Sequence, residues 1–459
     1  MPDQILQRRT WILLLVVAAV PSLLALVQLG RIHPDELYQT LEPAYFRAHG
    51  YGLLAWEWQA GIRNWAVPLL FSWLLRGSEL LGIRHPQAYR AVLEIPQYGL
   101  QVWMLAATFR YAYRRVGEVG GRWAVLAVGL YGPVLVFAGR TLGESFSAAF
   151  LVLALERLDR TERIGRHAFL AGLALGLAFV TRYGSAVFIA AVFAWLLVLR
   201  RWRALIWTGA GGALVLLGLG ALDWATWGRP FHSFLGYARF NLLSSRAADA
   251  FGALPASYYL PVLAIAIPLW AWPGIALAIK REHPRVPLWL FCASTYLVAL
   301  ACTAHKEQRF IYPALVLIAF GSAPEVFRAL REIQNARLRR SMLAAACMVG
   351  IAVCLFPTEL TAKRVGQFQA IVKATRSPQA TGLLIVNEGL WGAGGYFYIG
   401  KNIPWMTCDW PADGAFQLAM RDRRFNRAVT YEERAVSEMQ SSGFRVVDRV
   451  GRATILERP

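Results

Sequence analysis

The chain has 459 residues, 57% of them hydrophobic and only 17% charged, with a formal net charge of +20. A soluble protein carries about a quarter charged residues, so an ordinary soluble enzyme is excluded. Nucleic-acid binding is excluded by the placement of the basic residues, which cluster in short stretches between apolar runs (8–9, 110–122, 157–166, 200–203, 280–285 and 328–340). That is the pattern of loops retained on the cytosolic face of a multi-pass membrane protein.

In chain order, the first apolar span covers about 11–30 and is followed by no clear small-x-small cleavage site, so it reads as a retained helix. Residues 31–87 form a first outer loop. Its apolar stretch 66–83 is interrupted by Arg76 and Glu79 and reads as an interfacial helix. If it crossed, the basic stretch 110–122 would lie on the wrong side. Spans are expected near 88–109, 122–138 and 145–156. The 33 residues 167–199 would make a helix of about 50 Å, too long for one crossing. The run is broken at Thr181-Arg182-Tyr183-Gly184, so two short spans are expected there. Further spans near 204–222, 259–279, 286–303, 311–327 and 341–357 bring the total to about eleven.

Residues 358–459 carry no spanning run. Strands are expected at 383–386, 444–447 and 449–456 and a helix at 432–440, making a small α/β domain. The expected organisation is a transmembrane domain over 1–357 and an extracytoplasmic domain over 358–459. The five cysteines offer no paired metal-binding spacing.

With this threading, the remaining polar segments fall on the face opposite the basic loops. Arg31-Ile-His-Pro-Asp-Glu-Leu-Tyr-Gln-Thr-Leu-Glu42 is the richest of them. Pro34 suits the first turn of a helix, and Asp35 and Glu36 then sit near its positive end, which keeps a carboxylate ionised. By helical spacing Asp35, Tyr38, Gln39 and Glu42 share a face. Transfer of a sugar to a hydroxyl needs such a base, and positive groups to hold a departing phosphate. The plainer reading is an interfacial helix with solvated acids.

Trp56-Glu-Trp58 and Gly61-Ile-Arg63 are residue types that stack on and bind sugars, although a tryptophan belt with a snorkelling arginine reads the same. In His305-Lys-Glu-Gln-Arg-Phe310, the cations His305, Lys306 and Arg309 are suited to a phosphate and Glu307 to orienting them. Arg140 and Arg182 are lone arginines at span ends. Asp223-Trp-Ala-Thr-Trp-Gly-Arg-Pro230, with Asn241 and Phe251-Gly252, is a lid, an acceptor groove or a membrane-skimming loop. No phosphate loop, H-E-x-x-H or dinucleotide fingerprint is present.

Taken together, His33-Pro-Asp-Glu36 with Gln39 and Glu42, Tyr51-Gly52, Trp56-Glu-Trp58, Gly61-Ile-Arg63, Arg140-Thr-Leu142 and the 305–310 block resemble glycosyltransferase family 22. These are the Alg9-like and GPI-type α-mannosyltransferases that use polyprenyl-phosphate mannose. The resemblance covers roughly residues 10–330 and implies an all-α membrane fold of the GT-C type. It implies Asp35 as catalytic base, aided by Glu36. His305, Lys306, Arg309 and Arg140 would hold the donor phosphate. His33, Gln39, Trp56, Glu57, Arg63, Tyr183 and Asn241 would line the sugar and acceptor. No metal or other cofactor is implied.

The implied partners are membrane lipids, a lipid-linked sugar donor and a glycan or glycolipid acceptor, with no nucleic acid. Arginine far exceeds lysine (43 against 5), a bias that points to a GC-rich bacterial genome and hence a bacterial cytoplasmic membrane, with the site and the C-terminal domain outside. The chain departs from the family at Ala55, Asn64, Gly143-Glu144 and Tyr183-Gly184. A protein O-mannosyl- or oligosaccharyltransferase of the same superfamily is the enzymatic alternative. A lipid-linked-sugar flippase is the other, and it would be expected to show pseudo-repeated halves.

Overall fold

The computed structural model describes all residues except 1–6, 28, 30–32, 161, 242–248, 250, 354–365, 390–392 and 412–413. Arg31, the tip of the 223–258 loop and the expected 357/358 boundary lie outside the described residues. The chain divides into two compact units. One comprises Met1–Leu24, Ala60–Ala66 and Ile95–Thr361; the other comprises Ala25–Gln59, Val67–Glu94 and Ala362–Pro459.

The helices are α1 Arg8–Val27, α2 Glu42–His49 (continuing a π-helical turn, Glu36–Leu41), α3 Trp56–Gln59, α4 Ala66–Leu80 and α5 Pro86–Gly129. Next come α6 Gly132–Phe137, α7 Gly143–Leu158, α8 Ile164–Thr181, α9 Ala186–Val198, α10 Trp202–Trp227 and α11 His232–Asn241. Then follow α12 Tyr259–Ala266, α13 Ala271–Glu282, α14 Leu288–Cys302, α15 Tyr312–Arg331 and α16 Ala336–Ala352. Among the described residues four helices are long and apolar enough to cross a membrane, or five if one bent pair counts as a span. That is fewer than the eleven expected, because α14 has 15 residues and α7 has 16.

Two expected spans take another form. The loop expected at 110–121 is mostly helical but does reverse the chain, at Gly117 (φ 76°), where a kink separates two helices: a Cβ at Gly121 would touch Phe109 and one at Gly129 would touch Leu105. The arginines of this loop find acids instead of water, Arg114 bonding Glu156 and Asp159 and Arg115 bonding Asp159. The span expected at 122–138 is interrupted at Tyr131, which is extended just before α6, where Pro133 occupies the first turn. The span expected at 259–279 is a pair of helices, and the stretches Ala256–Ala266 and Ala271–Glu282 meet at 103°. Ile267 is extended because Pro268 follows it, and the Tyr131 hydroxyl donates to the carbonyl of Ala266 left open at the bend (2.5 Å).

In the first unit α8 and α10 pack at backbone distance through glycines. A Cβ at Gly172 would land on the Thr208 carbonyl, and one at Gly211 on that of Phe169. Small residues that let backbones approach are how helices associate in lipid.

This unit also has two polar ends. At one, Glu144 at the start of α7 meets Arg182 and Arg309, and Gln97 of α5 donates to the Arg140 carbonyl. At the other, Glu156 and Asp159 meet Arg114 and Arg115, and Arg328 of α15 donates to the Arg115 carbonyl. Along α5, α7 and α15 the two ends are 12 to 18 residues apart, roughly 18–27 Å at 1.5 Å per residue. That approaches the ~30 Å of a hydrocarbon core.

The second unit contains a five-stranded sheet of order β2-β1-β3-β5-β4, built from β1 Leu383–Val386, β2 Trp405–Cys408, β3 Arg427–Thr430, β4 Arg445–Val450 and β5 Ala453–Glu457. β1 is parallel to β2 and β3, with Leu384 opposite Met406 and Ala428. β5 is antiparallel to β3 and β4. The central strands are buried on both faces, as parallel strands covered by helices must be. Phe416 and Met420 of the helix Gly414–Arg421 and Ala435 and Met439 of the helix Glu433–Ser441 fill one face around Leu384, Val386 and Leu456. The helix Gln367–Thr375 packs on the sheet through β3, β5 and β4. The same unit includes the first outer loop, whose Glu42 accepts N–H bonds from Tyr396 and Phe397.

Candidate active site

In the second unit the acids of the first outer loop are sorted by burial. Pro34 starts the helix as expected, but residues Glu36–Leu41 wind as a π-helix. The wider turn breaks the expected face. Asp35 and Gln39 stay half-exposed, while Tyr38 and Glu42 turn into the core. Asp35 is 22% exposed at the side chain, with His33 Nδ1 3.3 Å from its Oδ1. The Asp35 N–H donates to the same ring nitrogen (3.2 Å). Gln39 donates to Glu57 (3.4 Å), and the neighbouring Trp58 indole donates to the Tyr38 carbonyl (3.0 Å). Trp56 is half-buried.

Glu36 is buried, 3.6 Å from Arg90, which also faces Glu94 at 3.9 Å. Arg90 escaped the sequence reading, although an Arg and a Glu four residues apart at the start of an apolar run are costly enough to signal a buried partner. Glu42 is fully buried and accepts N–H bonds from Leu53 (2.9 Å), Tyr396 (2.9 Å) and Phe397 (2.8 Å). Burial pushes its pKa up to about 7, against the pull of those three bonds.

In the first unit the 305–310 block is brought together with Arg182 around Glu144, an acid the sequence marked as a polar span end and a family departure. Its carboxylate lies 2.7 Å from Arg182 and 3.2 Å from Arg309. Arg309 is buried and also donates through Nε to Glu307 (2.5 Å), which meets His305 Nε2 at 2.9 Å. Lys306 is buried too, its ammonium donating to the carbonyls of Leu254 (2.9 Å) and Thr303. The Phe310 ring lies under both guanidinium groups, 4.8 Å from Arg182 and 5.2 Å from Arg309. The guanidinium groups of Arg182 and Arg309 thus meet two carboxylates, Glu144 and Glu307, while the Lys306 ammonium is held on main-chain carbonyls. Such a cluster is suited to receiving one further anion. Arg140 is buried at the turn before α7, its carbonyl held by Gln97 (2.5 Å).

Asn64, another departure, donates to the Val180 carbonyl (2.9 Å) and to the Tyr183 hydroxyl (3.1 Å). Tyr183 continues the chain to Ser233 (2.5 Å), and Ser233 donates to Asp223 (2.6 Å). The Arg63 carbonyl accepts from the Trp227 indole (3.1 Å). Tyr183 is therefore a buried link in a structural relay. Asn241 ends α11 in an exposed position and donates to the Tyr237 carbonyl (3.0 Å).

The profile of the Alg9-like mannosyltransferase family matches residues 11–378. The chain belongs to that family. Its members among similar proteins include GPI mannosyltransferase 3 of Yarrowia lipolytica, 27% identical over 80% of this chain and 71% of the relative. Alpha-1,2-mannosyltransferase Alg9 of Drosophila melanogaster is 26% identical over 63% of this chain and 49% of the relative. Family membership makes the chain a glycosyltransferase, as the motifs implied. The fold matches the solved structure of ArnT from Cupriavidus metallidurans bound to undecaprenyl phosphate, with TM-score 0.62 at 14% identity over 98% of both chains. It also matches the oligosaccharyltransferase AglB from Archaeoglobus fulgidus in complex with an inhibitory peptide and a dolichol-phosphate, with TM-score 0.53 at 12% identity over 92% of this chain and 69% of that one. Both likenesses bear on fold, which is of the GT-C type.

Proposed function

We propose that this chain is an inverting α-mannosyltransferase. It takes mannose from a polyprenyl-phosphate carrier and adds it to a hydroxyl of a glycan or glycolipid, on the membrane face opposite the basic loops. In a bacterium, to which the arginine-rich composition points, that face is extracytoplasmic. The observation that carries the reading is the sorting of acids in the first outer loop. Glu36 and Glu42 are buried and committed, while Asp35 remains accessible beside His33. A general base has to be ionised and within reach of its proton, and of these three acids the half-exposed Asp35 is the one open to an incoming acceptor.

In the proposed step the acceptor oxygen attacks C1 of the sugar from the side opposite the phosphate. The bond from C1 to the phosphate oxygen breaks, its electron pair leaves with the lipid phosphate, and the hydroxyl proton passes to Asp35. Arg309, Arg182 and Lys306, with Arg140 and His305, stabilise the charge gained by the phosphate. Glu144 and Glu307 hold the two arginines in place, and Arg90 holds Glu36, so that neither pair needs to reorganise during the reaction. His33, Gln39, Trp56, Glu57, Arg63 and Asn241 are assigned to orienting the sugar and acceptor, with Tyr183 supporting them through its relay. The two fold relatives, one solved with undecaprenyl phosphate and one with dolichol-phosphate, support a polyprenyl carrier.

The test is transfer of [³H]mannose from polyprenyl phosphate to total membrane lipids, wild type against Asp35→Asn. Loss of a general base costs about 10²- to 10⁴-fold in rate, with donor binding unchanged. Transfer at the wild-type rate in the variant removes Asp35 from the mechanism.

A further inference from the structure

At the end of the first unit away from Glu144 lies a cavity of about 150 Å³ that the transfer reaction does not use. Its wall brings together segments far apart in sequence. They are Tyr111 and Arg115 of α5, Leu155 and Asp159 at the end of α7, Trp195 and Leu199 at the end of α9, Arg201 just before α10, Glu282 at the end of α13 with Arg285 beyond it, and Trp289 and Phe320 of α14 and α15. Four basic stretches that the sequence assigned to one membrane face thus converge on one space.

The charges in this wall are not equivalent. Arg115 is satisfied: it bonds both oxygens of Asp159 (2.6 and 2.8 Å) and stacks 3.7 Å over the Tyr111 ring. Arg201 stacks on Trp195 (5.0 Å) and, like the exposed Arg285, has no carboxylate partner among the described residues. The Glu282 carbonyl accepts from the Arg285 N–H (2.8 Å), but its carboxylate has no ion pair or hydrogen bond among the described residues, only the more distant charges of Arg115 and Arg281. A cavity that presents two unspent guanidinium groups and one unspent carboxylate between aromatic walls is complementary to a zwitterion. The anionic end meets the arginine forks and the cationic end meets the acid and the ring faces.

Next in the chain to lining residues stand exposed aliphatic side chains, Leu197 and Val198 before Leu199 and Val286 after Arg285. These give acyl chains a surface to follow, and basic pockets between membrane helices on this side are suited to lipid headgroups. We propose that this cavity binds the headgroup of a phospholipid carrying a phosphate and a primary ammonium, phosphatidylethanolamine. Arg201 and Arg285 hold the phosphate and Glu282 accepts from the ammonium. A trimethylated ammonium has no N–H to give Glu282, and a glycerol headgroup leaves the carboxylate uncompensated.

The test is native mass spectrometry of the full chain, purified in detergent, delipidated and incubated with phosphatidylethanolamine, phosphatidylglycerol or phosphatidylcholine. One phosphatidylethanolamine should be retained, with a preference over either other lipid of roughly fivefold, the value of one charge contact at a membrane surface. Glu282→Gln should abolish that preference while retaining lipid. Arg201→Gln with Arg285→Gln should weaken retention of all three lipids, roughly 20- to 30-fold for two such contacts. The thermal midpoint of the delipidated variants, all altered at or near the surface, should match that of the delipidated wild type. Equal retention of the three lipids by wild type overturns the proposal, as does an unchanged preference in Glu282→Gln. Displacement of the lipid by millimolar O-phosphoethanolamine also overturns it, since the occupant would then be a soluble zwitterion.

Discussion

The Glu42 carboxylate lies where water cannot solvate it, and main-chain N–H groups of Leu53, Tyr396 and Phe397 do so instead. Gly395 has φ +58°, and a Cβ there would strike the carboxylate, so the approach of this backbone requires glycine. Burial raises the folded-state pKa from the ordinary 4.5 to about 7. Between those values the folded chain holds a proton that the unfolded chain has released. Stability therefore falls as pH rises from 4.5 to 7 and is level above, by about 3 kcal/mol in all. Glu42→Gln cannot titrate, so the decline in melting temperature of the full chain across that window should flatten. An unchanged slope would assign the titration elsewhere. The sequence placed Glu42 on one face with Asp35 because it assumed 3.6 residues per turn, and no composition signal reveals a π-helical turn. Asp35, His33 and the 305–310 block were legible because charges beside apolar runs are costly. Glu144 and Arg90 were not, because their partners stand 38 or more and up to 165 positions away, or on another element of the first loop.

At the scale of elements, the adjacent glycines of α10 make opposite demands. A Cβ at Gly211 would meet the carbonyl oxygen and carbonyl carbon of Phe169 in α8, backbone that cannot move aside, whereas one at Gly212 would meet only the Gly172 oxygen at an ordinary 3.7 Å. Gly211→Ala forces the helices apart and should destabilise by about 1–3 kcal/mol. Gly212→Ala should be neutral or stabilising by up to about 1 kcal/mol from helix propensity. Thermal unfolding in detergent reads both, and equal effects would mean that α8 and α10 do not pack this closely. The break at 181–184 was visible in the sequence, since a run of 33 residues cannot be one span. So were β1, the 433–441 helix and the hairpin of β4 and β5. The strands Trp405–Cys408 and Arg427–Thr430 were missed because they lack the unbroken aliphatic run that marks β1, and they are strands through pairing with it. The turn between the spans at 88–109 and 122–138 was legible, since the chain reverses at Gly117, but the flanking arginines are helical rather than loop because they pair with acids at the end of α7.

At the scale of the molecule, the two polar ends of the first unit differ in charge balance, and that difference predicts an orientation. One end gathers Arg114, Arg115, Arg157, Arg160, Arg201, Arg203, Arg281, Arg285 and Arg328 against Glu156, Asp159, Glu282 and Glu325. The other holds Arg140, Arg182, Lys306, Arg309 and His305 against Glu144 and Glu307. Arginine in short loops is retained in the cytosol, so the first end should be cytosolic and the Glu144 end should face away. Exposed positions report this directly: Arg203 borders the first end, and Ala256 lies two residues from Leu254, whose carbonyl holds Lys306. In a background with the native cysteines replaced, Ala256→Cys should react with a membrane-impermeant maleimide in intact cells. Arg203→Cys should react only after permeabilisation. The reverse pattern would place the Glu144 cluster in the cytosolic leaflet and oblige any lipid-linked donor to present its phosphate there. A single span more or fewer between the two positions would make both label from one side, so the pair also measures whether the chain crosses an odd number of times between Arg203 and Ala256.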